Sequence, residues 1–118
     1  MFLHFQDRNN NRTAVAAGAI VFIQDSGDQN ECIIYTQHGY IELGTAYAEV
    51  TAAAKAARPS PWIECTTTGS FQIKTCVVAE AITHVIERGD SCAIFHNAHG
   101  GRALSVVESY DQVTADVT

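Results

Sequence analysis

The feature that most limits what this chain can fold into is an internal repeat. Arg12-Thr13-Ala14-Val15-Ala16-Ala17-Gly18-Ala19-Ile20 returns as Lys74-Thr75-Cys76-Val77-Val78-Ala79-Glu80-Ala81-Ile82, with a base, a Thr, a Val and an Ala-x-Ala-Ile in matching places. Further on, Cys32-Ile33-Ile34-Tyr35 returns as Cys92-Ala93-Ile94-Phe95. Each is followed by His-Gly (His38-Gly39, His99-Gly100) and then a Leu (Leu43, Leu104). Tyr47 with Val50-Thr51-Ala52 is matched by Tyr110 with Val113-Thr114-Ala115, and the leading Phe2-Leu3 by Trp62-Ile63. Similarity at a fixed spacing over nearly the whole length is the mark of tandem duplication, here of a unit of roughly sixty residues. The expected organisation is a first copy over residues 1–58, a linker at 59–61 and a second copy over residues 62–118.

Each copy reads as a short strand, a long strand, two more strands and a helix, a ββββα-like unit. Strands follow from β-branched and aromatic runs bounded by turn formers, such as Asp25-Ser26-Gly27-Asp28 and Arg88-Gly89-Asp90. Tyr47, Val50, Ala54 and Ala57 have helical spacing, with Thr45 as the expected cap and Glu49 in the first turn. Arg58-Pro59-Ser60-Pro61 ends that helix, because proline cannot continue the hydrogen-bond ladder. Ser109 and Gln112 have the spacing of a capping box before a shorter second helix. Cys32-Ile33-Ile34-Tyr35 and Cys92-Ala93-Ile94-Phe95 are apolar on both strand faces, so something must cover the second face. The expected fold is a β-rich α+β structure, in which the repeats form a pseudo-twofold small β-sandwich or partly closed barrel that assembles into a homo-oligomer.

Composition narrows the function. With 118 residues, 47% of them hydrophobic, the chain can build one compact core, whereas either copy alone would be marginal. Thirteen acidic residues against seven basic ones give a net charge of −6. The basic residues form no run, which argues against nucleic acid as a partner, since phosphate binding relies on clustered Lys and Arg. Neither a membrane span nor a secretory signal is legible, so no membrane partner is expected and the expected location is cytoplasmic. Cys32, Cys65, Cys76 and Cys92 fit neither a zinc pattern nor a dense disulfide framework and read as buried thiols. A bridge between Cys65 and Cys76, across a hairpin centred near Gly69-Ser70, is the main exception.

Ala81-Ile82-Thr83-His84-Val85-Ile86-Glu87 through Glu108-Ser109-Tyr110-Asp111-Gln112-Val113 resembles the small FlbD-type flagellar and motility proteins, and more distantly the LytTR output domains. In both, an Ile-containing strand and a Gly-containing turn precede a short helix. The FlbD likeness implies a protein-interaction adaptor or regulator, and the LytTR likeness a DNA-binding module.

The most polar cluster is His96-Asn97-Ala98-His99-Gly100-Gly101-Arg102. Two imidazoles, a carboxamide, a guanidinium and glycines that admit a ligand to the backbone suit an anionic group. The matching stretch of the first copy, Thr36-Gln37-His38-Gly39-Tyr40-Ile41, lacks the second His, the second Gly and the Arg, as expected where duplicates specialise at a loop. A Gly-Gly pair in a hairpin is also an ordinary turn device. The expected ligand residues are therefore His96, Asn97, His99, Gly100, Gly101 and Arg102. No catalytic constellation, cofactor or metal set is expected, because no Walker loop, dinucleotide fingerprint or nucleophile elbow is present. The leading expectation is a non-catalytic, oligomeric binding protein for a small anionic, nucleotide-like ligand, serving as a sensor or as a sequestering protein, including a phage-encoded one. The alternative is an adaptor anchored by Phe2, Phe5, Tyr40 and Trp62.

Overall fold

The computed structural model describes residues 1–70 and 72–115, so the last three residues of the expected second copy lie outside the described residues. The chain opens with the hairpin β1 (Phe2–Gln6) and β2 (Arg12–Ala16), followed by a 3-10 turn over Ala17–Ala19. A meander of β3 (Ile20–Asp25), β4 (Cys32–Thr36) and β5 (Gly39–Leu43) leads to helix α1 (Tyr47–Ala57). The same order follows again. Hairpin β6 (Trp62–Thr66) and β7 (Lys74–Val78) leads to a 3-10 turn over Ala79–Ala81, the meander β8 (Ile82–Arg88), β9 (Ser91–His96) and β10 (Leu104–Val106), and helix α2 (Tyr110–Ala115).

Among the described residues each half therefore has five strands where four were expected. The single long strand breaks at the 3-10 turn: Ala16 and Val78 are extended, the next three residues turn, and the Ile20 and Ile82 N–H groups bond back to Ala17 O and Ala79 O. This step carries the chain from its hairpin into a different sheet. Arg58 clamps the first turn, its guanidinium Nη1 donating to Ala17 O at 3.2 Å and Ile20 O at 2.9 Å.

All the pairing is antiparallel. A five-stranded sheet runs β5-β4-β3-β7-β6, a three-stranded sheet β10-β9-β8, and β1-β2 stand as a pair. The five-stranded sheet is not private to one half, because β3 pairs with β7 through Phe22↔Val77, Ile23↔Cys76 and Gln24↔Thr75. One apolar cluster spans both halves, with Ile23, Ile34, Leu43 and Val50 from the first and Ile63, Val77, Ile94 and Val113 from the second. The doubly apolar strands are covered as expected: Ala93 is buried and Ile33 is half-buried.

Helix α1 covers the residues of helical spacing, Tyr47 to Ala57, and α2 begins directly after Ser109, but their caps differ. Ser109 and Gln112 form the reciprocal box, with Ser109 N donating to Gln112 Oε1 at 2.8 Å and Gln112 N to Ser109 Oγ at 3.2 Å. Thr45 is not the cap of α1; Ala46 occupies that position and offers no side-chain acceptor. The Cys65–Cys76 bridge is excluded by register. Cys65 lies opposite Thr75 and Cys76 opposite Glu64, so the two thiols sit on opposite faces of the hairpin, and all four cysteines are free.

The end of each hairpin touches the last strand of its own meander. Gly44 N donates to Gln6 O, and Val107 N donates to Thr66 O, both at 2.9 Å. At Gly44 a methyl group would come within 2.8 Å of Asp7 O. We expect Gly44→Ala to lower stability by about 1–3 kcal/mol in urea melts, because the crowding atom is backbone. Gly18→Ala meets nothing within 4 Å and should leave the midpoint unchanged or slightly raised.

Candidate functional site

The loop after β9 is pinned to both halves. Asn97 N donates to Ala81 O at 3.2 Å, and His99 N crosses to Thr36 O, at the end of β4, at 2.9 Å. Gly100 and Gly101 then take φ of 89° and 60°, left-handed values that a side chain would resist, which is the local reason for two glycines. This folds the loop over the start of the first meander and leaves a cavity of about 440 Å3, lined by Phe22, Gln24, Tyr35, His96, Ala98, His99, Gly100, Arg102, Ala103 and Leu104.

One wall is aromatic. Phe22 stacks on Tyr35 with ring centroids 4.3 Å apart and presents its face to His96 edge-on at 4.9 Å. Burial, with Tyr40 and Glu42 adding to it, pushes the Tyr35 phenol up, so that ring stays neutral. No carboxylate lines the cavity, and Arg102 does. In a chain of net charge −6 this is a locally favourable place for an anion.

His96 is the most constrained polar group of the site. It is 8% exposed, and Ala98 N donates to its Nδ1 at 3.1 Å. A ring nitrogen that accepts has no proton, so the neutral imidazole carries its proton on Nε2. That Nε2 is buried without a hydrogen-bond partner. Burial holds the His96 pKa below its ordinary value, and the nearby Arg102 backbone carbonyl opposes this without closing a hydrogen bond. A buried donor left unsatisfied costs about 1–3 kcal/mol, so it invites an acceptor.

Of the residues expected from sequence, His96, His99, Gly100 and Arg102 meet in this cavity. Gly101 shapes the turn, whereas Asn97 lines a separate space of about 140 Å3 beside Gly18, Arg58 and Glu80. Sequence reasoning missed the opposite wall, Phe22, Gln24 and Tyr35, which comes from the first half. Phe2 and Tyr40 are 62% and 61% exposed; Phe5 and Trp62 are half-buried, and Trp62 Nε1 donates to Arg58 O at 3.0 Å.

Cys92 is 1% exposed and its thiol is pushed up by burial and by Glu108, so it is not poised as a nucleophile beside His96. Among the described residues no three His, Cys, Asp or Glu side chains group as a metal set. A larger space of about 820 Å3 lies over the hairpin β1-β2, lined in part by His4, Arg12 and Glu49. It mixes both charges and holds no expected ligand residue, and the unpaired buried donor lies in the smaller one. Compared with protein-family models, with curated proteins and with solved structures, the chain matches none.

Proposed function

We propose that this chain is a duplicated β-rich unit serving as a non-catalytic, oligomeric binding protein that holds a small anionic, nucleotide-like ligand in the cavity beneath His96. The observation that carries this reading is the buried, unpaired Nε2 of His96 in a space that Arg102 lines and no carboxylate does. The Phe22–Tyr35 stack offers a flat apolar wall for a ring, His96 a donor for an acceptor on the ligand, and Arg102 a guanidinium for its charge. The same order of elements in the two halves supports the duplication.

A thermal-shift panel of nucleotides tests the reading. A ligand present at about a hundred times its dissociation constant should add about 2.7 kcal/mol to folding stability. Arg102→Ala should weaken that ligand about tenfold to a hundredfold while leaving the unliganded melt in place, since the lost contact is a charge-assisted one. No stabilisation by any nucleotide, with a protein partner co-purifying instead, would favour the adaptor reading, for which the exposed Phe2 and Tyr40 speak.

A further inference from the structure

Resting on the equivalence of the two halves, we infer that the open edge of β8 is the docking site for the β1-β2 hairpin of a second copy of this chain, so that copies join head to tail. The contact between the halves supplies the template. There, hairpin β6-β7 adds its β7 edge to β3. The corresponding partner for β8 is β2, yet among the described residues β2 and β8 do not pair; β2 pairs there with β1 alone and β8 with β9 alone.

The backbone of β2 is already oriented for this. Ala17 N donates to Met1 O and Asp7 N to Asn11 O, so by antiparallel alternation Arg12, Ala14 and Ala16 turn their amides and carbonyls away from β1. In the second half, Ala79 N to Pro61 O and Thr67 N to Ile73 O set the same phase, and the equivalent outward residue, Cys76, is the one opposite Ile23. Ala14 holds the place of Cys76 with no strand opposite it.

Side chains repeat the pattern of covered and uncovered surfaces. His84 stacks on Phe95 at 4.3 Å, matching Phe22 on Tyr35, and both pairs follow a register shift at the same point, Ile20/Phe22 and Ile82/His84. Phe22 is 4% exposed because His96, the last residue of β9, covers it, whereas His84 is exposed. The last residue of β4, Thr36, is the group a second copy would lay over His84. Likewise α1 lies against hairpin β6-β7, where Lys55 meets Glu64 at 3.3 Å and Cys76 is fully buried. The matching face of β1-β2 leaves Phe2 and Ala14 in the open. A seven-residue edge strand that displays Ile86 and carries no proline is a liability unless something pairs with it.

Carried over, the β3–β7 register sets His84 opposite the second copy's Val15, Val85 opposite its Ala14 and Ile86 opposite its Thr13. One step further, Glu87 faces Arg12, so opposite charges meet across the seam. The seam joins unlike surfaces, so copies that satisfy it build a ring where the rotation closes and an open filament where it does not.

The test is cross-linking of the whole chain by a mild oxidant. Thr13→Cys/Ile86→Cys should give disulfide-linked multimers on non-reducing gels, and neither single variant should. The native cysteines are buried and do not compete. Thr13→Cys/Val85→Cys, whose thiols would lie on opposite sheet faces, should not link. Arg12→Glu should weaken assembly about tenfold or more at low salt, and Arg12→Glu/Glu87→Arg should restore it. A monomer by native mass spectrometry at micromolar concentration, or equal linking of both double variants, overturns the seam. Either result leaves the equivalence of the halves standing, which the paired core substitutions at Ile34 and Ile94 read independently.

Discussion

Ile34→Ala and Ile94→Ala are each expected to lower folding stability by about 3 kcal/mol and to move a single unfolding transition rather than split it. Ile34 lies between Ile23 and Ile41 in the five-stranded sheet, Ile94 between Val85 and Leu104 in the three-stranded one, and both are fully buried. Truncating either leaves a cavity in strands that have no freedom to collapse. Against a total of about 5–15 kcal/mol for a domain of this kind, each loss is large. One transition follows because β3 and β7 share a sheet and one apolar cluster spans the halves. Urea melts at fixed protein concentration, followed by Trp62 fluorescence and far-ultraviolet circular dichroism, check this. Two separated transitions, or a loss at one site only, would mean that the halves fold apart or are not equivalent.

Stability is also expected to fall as pH drops below about 6.5, and His96→Gln to flatten that part of the profile. The ordinary histidine value is 6.5, and burial lowers it for His96 in the folded protein. Between the lowered value and 6.5 the unfolded chain takes up a proton that the folded chain refuses, so stability is complete above the window and lost on descending through it. Protonation would also set a proton on Nδ1 against the Ala98 N–H that Nδ1 now accepts. The Asp7 window lies lower. Its carboxylate accepts from Asn9 N at 2.8 Å and Asn11 N at 2.9 Å, and chiefly the Asn11 bond holds its pKa below 3.8. That contribution is present above 3.8 and disappears only as pH falls through the lowered value. Melts from neutral to mildly acidic pH, wild type beside His96→Gln, separate the two groups.

The two helices were legible because they depend on local chemistry: Tyr47 to Ala57 at helical spacing, Pro59 and Pro61 beyond it, and the reciprocal Ser109–Gln112 pair. The break of each long strand was not. Ala17-Gly18-Ala19 and Ala79-Glu80-Ala81 carry no strong turn pair, and apolar residues on either side read as one continuous strand. Thr45 looked like a cap by residue type, but the helix begins one residue later than that role requires. The loop residues His96, His99 and Arg102 stood out by their own polarity, whereas Phe22 and Tyr35 looked like any aromatic strand residues. Only the pairing of β3 with β7, a contact remote in sequence, brings those rings beneath the loop of the other half. Within the local hairpin β6-β7, the spacing of the two cysteines did not reveal the one-residue offset in register that keeps Cys65 and Cys76 apart.

Nitrogen-15 NMR of the His96 imidazole at neutral pH, recorded with and without the nucleotide that most stabilises the fold, looks straight at the donor on which the binding reading depends. A neutral ring protonated on Nε2, whose Nε2 resonance moves on addition of ligand and reaches saturation, is the expected result. A proton on Nδ1, or an Nε2 resonance that stays in place while the nucleotide raises the melting point, would contradict it.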